Sequence, residues 1–354
     1  MFEQATILDI RAETEDCVSV SLGFGSDLEK KIEFQPGQYL TFKTSIDGEE
    51  IRRSYSICSS PLEKELRVAI KKVPFGKFST FANQDLKVGD TIEVMGPSGR
   101  FGKKQEETFP NNAVAFAAGS GITPVLSLMK TILETQPDSQ FCLIYGNKNR
   151  SSIIFKSEIE DLKNKYIGRV RVYNVLSRES ADAELFNGRI DTEKCRLFLE
   201  KIIDVKQVNS FYICGPEQMT NEVRTVLEES AVPKEKIHFE LFGVQQIRAS
   251  VANQNTEAST LKSQITLQLD GSSFQFEVPF QGESILDAAL RNSADLPFAC
   301  KGGVCSTCRC KVIEGEVDMS INYALEPDEV AQGFVLACQA HPRSEKVVID
   351  FDIK

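Results

Sequence analysis

Histidine is nearly missing: the 354 residues contain two, His238 and His341. No Ser–His–Asp arrangement and no Walker motif is visible in the sequence. Glu235-Lys236-Ile237-His238 matches half of a carboxylate di-iron motif in letters only. Such a centre needs two Glu-x-x-His pairs on helices and two further glutamates, and His238 opens an expected strand instead. Positive charge is also short. Lys and Arg number 41 against 51 Asp and Glu, a net charge of −10. A phosphate backbone is bound by releasing its counterions to a basic surface, so nucleic acid is excluded as a partner and an anionic membrane surface disfavoured. An acidic surface suits solubility or the steering of a basic protein partner. Long apolar runs are absent too. The longest uncharged run, 108–129, holds Gly119, Gly121 and Pro124 and is too polar to span a bilayer. The first sixteen residues carry Glu3 and no apolar stretch, unlike a signal peptide. The expectation is a cytoplasmic protein.

What is present comes in three textures. The length calls for two or three domains, and 41% apolar residues suffice for ordinary cores. Residues 1–103 show short alternating or β-branched runs at 6–10, 17–22, 39–44, 51–57, 66–72 and 91–95, separated by turns such as Asp47-Gly48. That pattern predicts an antiparallel β-barrel or sandwich. Residues 104–243 alternate strands at 113–118, 141–145, 170–175 and 210–214 with helices at 124–134, 157–165, 192–201 and 217–230. Alternation of this kind predicts a parallel sheet covered by helices. Residues 244–262 lack apolar periodicity and read as a flexible linker. A strand pair at 265–269 and 274–278, turned by Asp270-Gly271, and a helix at 284–292 open a third domain, 263–354.

Five of the ten cysteines are scattered, at 17, 58, 142, 195 and 214, whereas Cys300, Cys305, Cys308 and Cys310 crowd together. Cys300-x4-Cys305-x2-Cys308, with Cys338 far along the chain, is the plant-type [2Fe–2S] spacing. Gly302 and Gly303 let the backbone approach with its amides aimed at sulfur. A zinc ribbon would show two Cys-x2-Cys knuckles, and there is one. Cys310 falls outside the spacing and reads as a buried non-ligand.

Two further stretches have the residue types of cofactor sites. A flavin that accepts hydride needs an aromatic shelf, a hydrogen bond near its reacting nitrogen and a cation for its phosphate. Tyr55, Ser56 and Arg53 supply these at one strand end. Gly76-Lys77-Phe78-Ser79-Thr80 precedes a possible short helix, whose first amides suit a phosphate. The plainer readings are surface decoration and an ordinary cap by Ser79 or Thr80. Gly119-Ser120-Gly121-Ile122-Thr123-Pro124 ends a small-residue strand, with Thr123 expected as N-cap and Pro124 in the first turn. This is a phosphate-type turn, or simply a tight βα connection.

The order Arg-x-Tyr-Ser, then Gly-x-x-Ser, in a β-rich domain before a parallel-sheet domain resembles the ferredoxin–NADP reductase superfamily. The loop Cys-Lys-Gly-Gly-Val-Cys-Ser-Thr-Cys, 300–308, resembles ferredoxin domains fused to the C-terminus of reductases. Together they resemble reductase subunits of multicomponent oxygenases. The resemblance implies a six-stranded FAD-binding β-barrel, an α/β NAD(P)-binding domain and an α+β β-grasp ferredoxin domain. It implies that Arg53, Tyr55 and Ser56 contact isoalloxazine and phosphate, that Gly76, Lys77, Phe78 and Ser79 line the pyrophosphate, and that FAD rather than FMN is bound. It implies that Gly119, Gly121, Thr123 and Pro124 hold the nicotinamide pyrophosphate, and that Cys214, in Cys214-Gly215-Pro216, sits by the nicotinamide ring. Ser56 and Cys214 are then the residues at the hydride-transfer centre. The second strand runs into Gly146-Asn147-Lys148-Asn149-Arg150, with no acid for a ribose diol. Ser177-Arg178 at the third strand end resembles a 2′-phosphate site, which favours NADPH over NADH. The implied acceptor is a separate oxygenase with a di-iron site. A reductase of a Rieske-type oxygenase or of a hybrid-cluster protein, and a redox-sensing binding protein, are the alternatives.

Overall fold

The structure, a computed structural model, describes residues 2–25, 32–102, 109–181, 183–242 and 261–353. The chain divides into two compact units, Met1–Gly243 and Val244–Lys354. The expected linker lies outside the described residues up to residue 260, and its last residue, Lys262, already begins a strand. No described helix is long and apolar enough to cross a membrane.

The first unit opens with β1 (Phe2–Thr14), β2 (Cys17–Phe24), β3 (Tyr39–Ile46), β4 (Glu49–Ser56), β5 (Leu66–Lys71), helix α1 (Lys77–Gln84) and β6 (Thr91–Ser98). The strands form a six-stranded sheet in the order β4-β3-β6-β1-β2-β5. The pairings along it are antiparallel. An antiparallel bridge between Ile57 and Val68 joins the two edge strands and closes the sheet on itself. The sheet wraps around Ile7, Val20, Leu40, Phe42, Val68 and Val94. Asp47 and Gly48, both at positive φ, make the tight turn that sets the β3–β4 register.

The unit continues with β7 (Asn112–Ala118), α2 (Ile122–Thr135), β8 (Gln140–Asn147), α3 (Lys156–Lys165), β9 (Val170–Leu176), α4 (Thr192–Lys201), β10 (Ser210–Gly215), α5 (Glu217–Glu229) and β11 (Ile237–Leu241). The sheet order is β11-β10-β7-β8-β9, all parallel. Strand β7 is buried on both faces, which is why it reads as a continuous apolar run. Ala113, Ala115 and Ala117 face one core, Val114 and Phe116 the other. The first of these cores also contains Cys17, Cys58, Ala69 and Phe101 from the barrel. Barrel and parallel sheet therefore share apolar packing. Polar contacts add to it. Ser127 Oγ donates to Ser59 O at 2.6 Å, and the largely buried Lys130 of α2 pairs with Glu63, at 3.1 Å, and with Glu158.

The second unit contains β12 (Lys262–Leu269), β13 (Ser272–Pro279), α6 (Ile285–Arg291), β14 (Arg309–Glu314), β15 (Val317–Met319), α7 (Pro327–Ala331), β16 (Phe334–Leu336), β17 (Ala340–Pro342) and β18 (Lys346–Asp350). Its five-stranded sheet runs β13-β12-β18-β14-β16, with β12 and β18 parallel. Helix α6 packs its Ile285, Leu286, Ala288 and Ala289 into the core of that sheet. This is the α+β arrangement expected of the third domain.

Two local expectations are corrected. The segment Lys77–Thr80 does not precede α1 but forms its first turn, with Gly76 as N-cap. Thr123 is not the N-cap of α2. A 3-10 turn, Gly119–Gly121, runs straight into the helix, Gly121 holds the cap position, and the Thr123 hydroxyl donates to Ser120 O at 3.0 Å.

Candidate functional site

Three groups of residues emerge, two in the first unit and one in the second. The first lies at the end of β4. Arg53 is exposed, donates to Arg52 O at 2.7 Å and has no ion pair among the described residues. Tyr55 lies partly buried, its ring 5.8 Å from Phe42 and 5.5 Å from Phe78. Burial pushes its phenol up, so the ring stays neutral. Phe78 is 2% exposed, so its side chain is core that props Tyr55. What α1 offers an anion is the amides of Lys77, Phe78 and Ser79, which precede the first helical bond from Thr80 N to Gly76 O. Ser79 Oγ does not cap the helix as a free hydroxyl would. It donates to Gly76 O at 3.1 Å and accepts from Val73 N at 3.2 Å, fixing the approach loop. Lys77 is exposed and pairs with Glu49.

Ser56 is 3% exposed and donates to Glu240 Oε2 at 3.4 Å. Glu240 is a residue for which the sequence alone suggests no role. It stands on β11 directly opposite Cys214 of β10. Glu240 is partly exposed, yet protein surrounds it at longer range. That desolvation pushes its carboxyl up to about 8, against the pull of the Ser56 hydroxyl. Cys214 is fully buried, and burial, with Glu240 adding to it, holds its thiol well above the ordinary range. It is therefore a neutral thiol and not a nucleophile. Ser56, Glu240 and Cys214, from three strands, come together around one spot.

The glycine turn after β7 reaches the same spot. A Cβ on Gly121 would stand 2.1 Å from Cys214 O, and one on Gly215 would meet Met219 Cε at 2.6 Å. At Gly121 only glycine lets the two loops touch, because the atom it would meet is backbone. Gly119 has φ of 54°, and its carbonyl accepts from Tyr145 Oη at 2.9 Å. Pro216 caps α5. Beyond β9, Ser177 N donates to Asn147 O at 3.0 Å and Arg178 N to Lys148 O at 2.7 Å. Those bonds lay the two strand ends side by side. Glu179 takes up Arg150, accepting its amide at 2.8 Å. The Arg178 guanidinium has no ion pair among the described residues.

In the second unit the four cysteines come as two pairs. Cys300 and Cys305 have sulfurs 3.1 Å apart, and Cys308 and Cys338 hydrogen-bond through their thiols. Among the described residues no three metal-binding side chains converge as a site for a single ion. Two thiol pairs suit two metal ions better than one. The Cys305 thiol, and then the amides of Cys305, Gly302 and Val304, draw Cys300 down to about 5. Cys338 is lowered by Cys308, the Gly303 amide and Gln339. Groups that favour thiolate are those a ferric cluster needs. Gly303 has φ of 72°, and a Cβ there would meet Ile321 O at 2.8 Å. Gln339 Nε2 holds Lys301 O at 3.0 Å, and Ala337 N holds Cys308 O at 3.0 Å, tying the loop to the distant cysteine. Cys310 points away. It is fully buried, faces Val335 O at 3.8 Å, and burial raises its thiol.

Comparison with known proteins gives three family matches: an oxidoreductase FAD-binding domain over 6–102, an oxidoreductase NAD-binding domain over 116–225 and a 2Fe-2S iron-sulfur cluster binding domain over 267–343. The chain is 43% identical to one of the subunits of 1,2-phenylacetyl-CoA epoxidase of Escherichia coli K12, over 100% of this chain and 98% of that protein. It is 29% identical to the ferredoxin reductase component of 3-ketosteroid-9-alpha-monooxygenase of Rhodococcus rhodochrous, covering 98% and 96%. Among solved structures, phthalate dioxygenase reductase, described as a modular structure for electron transfer from pyridine nucleotides to [2Fe-2S], shares the fold. It aligns with a TM-score of 0.60 at 22% identity over 99% of this chain and 98% of that one.

Proposed function

Since this chain belongs to the family of oxygenase reductases that includes the 1,2-phenylacetyl-CoA epoxidase reductase, we propose that it draws electrons from NADPH and delivers them to the oxygenase component of a phenylacetyl-CoA ring epoxidase. The likeness over the full length at 43% identity carries this reading. The modules are 1–103 for FAD, 104–243 for the nicotinamide, and, after a linker that ends before β12, the C-terminal module for the cluster. The acceptor in this reading bears a di-iron site.

The residues fit their groups. FAD accepts a hydride as an electron pair and releases it singly, which is what a one-electron [2Fe–2S] centre requires of its donor. Tyr55 offers the ring a shelf, Arg53 a cation, and the amides of Lys77, Phe78 and Ser79 a phosphate seat. Gly119 and Gly121, with Thr123 and Pro124 opening α2, seat the nicotinamide pyrophosphate. Ser177 and Arg178 take the 2′-phosphate. Cys214, Gly215 and Pro216 wall the nicotinamide pocket without adding charge. With its carboxyl near 8, Glu240 holds a proton at neutral pH and keeps the Ser56 hydroxyl oriented. Cys300 with Cys305 would hold one iron, and Cys308 with Cys338 the other.

The test is reconstitution. This chain, NADPH and phenylacetyl-CoA are mixed with a purified epoxidase oxygenase component, and the epoxide is measured. Epoxide formation that depends on this chain is expected. Rapid reduction of an artificial one-electron acceptor without any epoxide would leave a working reductase with a different partner.

A further inference from the structure

Ser127, Lys130 and Thr131 are spaced i, i+3 and i+4, so they share one face of α2. That face meets the loop between β4 and β5 through three polar contacts. The Ser127 hydroxyl donates to Ser59 O at 2.6 Å. Ser60 Oγ lies 2.9 Å from Thr131 Oγ1, and Thr131 gives its own proton to Ser127 O at 2.7 Å, so Ser60 is the donor. Lys130 Nζ stands 3.1 Å from Glu63 Oε1 and also pairs with Glu158 of α3. Ser59, Ser60, Ser127 and Thr131 are buried. Burying polar groups is a poor route to stability, because each contact mostly replaces bonds to water. A satisfied buried network instead rigidifies what it joins.

Apolar packing does not do this alone, because beside Lys130 the seam opens into a crevice of about 260 Å³ lined by Arg11, Glu13, Glu65, Arg67 and Phe155. The loop is itself stiff. Glu63 Oε2 accepts from Ser60 N at 2.9 Å, and Ser59 Oγ from Arg67 N at 3.0 Å. Ser59 follows Ser56, the last residue of β4, by three positions, and Ser127 lies about one helical turn beyond Thr123. Short, stiff paths therefore join the strand end that carries Tyr55 and Ser56 to the helix start that carries Thr123. We propose, on the reading that the first is the flavin shelf and the second the nicotinamide seat, that Ser127, Lys130 and Thr131 are positioning residues whose clasp on the β4–β5 loop sets the stacking distance between nicotinamide and flavin. Hydride transfer needs its two reacting atoms at about 3–3.5 Å, so a small slip of α2 along the seam slows it steeply.

The test uses the full chain loaded with flavin, mixed rapidly and anaerobically with NADPH or with NADPH deuterated at the transferred hydrogen. Lys130→Met removes the charge at similar length. Its melting temperature should stay near that of the parent, because Glu63 and Glu158 are 40% and 39% exposed and pass to water. Flavin content and the dissociation constant for NADPH should not change. Flavin reduction at saturating NADPH should slow roughly ten-fold and carry a full primary isotope effect, so that hydride transfer and not binding is what has slowed. Lys130→Arg should restore the rate, since the crevice has room for the larger head group. The double variant Ser127→Ala, Thr131→Val should slow the same step. Parent rates in both Lys130→Met and the double variant would overturn the proposal. So would a fall in rate that tracks lost flavin or a lowered melting temperature, which would make the contacts structural only. If the parent itself is reduced by neither NADPH nor NADH, the reductase reading has failed and the clasp falls with it.

Discussion

Glu240 shows how burial changes what a single residue can do. A carboxyl moved from 4.5 to about 8 binds its proton more tightly in the folded chain than in the unfolded one. Its stabilising contribution is complete below the unfolded value and is lost as pH rises through about 8. Glu240→Gln removes the titration, so the variant should gain stability relative to the parent as pH climbs, read as a widening difference in melting temperature. Reduction of the flavin by NADPH should fall in the parent with an apparent pKa near 8, and Glu240→Gln should flatten that limb. Identical falling limbs in both proteins would assign the titration to another group. The cysteines give a second contrast at this scale. Cys308→Ala should abolish the cluster's visible absorbance and leave NADPH-to-flavin reduction intact. Cys310→Ala, which removes a thiol facing Val335 O, should keep both. Loss of flavin reduction in Cys308→Ala would mean that the two functions are not separable.

At the scale of elements, the end of β7 and the end of β10 are joined by an approach that tolerates no side chain. A methyl at Gly121 would overlap the Cys214 carbonyl at 2.1 Å, and neither partner is a flexible side-chain tip. Gly121→Ala should therefore cost about 1–3 kcal/mol of stability, in the range of an overpacked core. It should also raise the KM for NADPH by more than the drop in melting temperature would suggest. An unchanged KM would show that the turn does not seat the nucleotide. Tyr145→Phe, which removes the bond to Gly119 O, is the milder version, at about 1 kcal/mol. The sequence shows the turn, because glycine before a helix is local chemistry, but not the contact, because Cys214 arrives from a distant strand. The same division explains what else was legible and what was not. Long helices such as Thr192–Lys201 are legible from period and caps, here Asp191. Strands β15, β16 and β17 have three residues each, too few to show alternation, and no pattern marks them. Glu240 escapes notice because one acid in a short edge strand reads as its solvent-facing side.

For the whole molecule the question is how a chain of net charge −10 binds a nucleotide that is itself strongly negative. Long-range repulsion must be overcome by local positive charge. The ends of β8 and β9 bring Lys148, Arg150 and Arg178 together by pairing residues 177 and 178 with 147 and 148. Arg150 is already engaged by Glu179, with Nε 3.4 Å from Oε1. In the function proposed above Arg178 is the guanidinium that meets a 2′-phosphate, and a guanidinium–phosphate pair is among the stronger hydrogen-bonded contacts. Arg178→Ala should raise the KM for NADPH on the order of ten-fold and leave that for NADH near its parent value. The preference should also weaken as salt is added, because exposed charges are screened over about 10 Å at 0.1 M. Equal losses for NADPH and NADH would remove the 2′-phosphate site. A loss of NADH binding in Glu179→Gln, with NADPH spared, would reassign that strand end to a ribose diol.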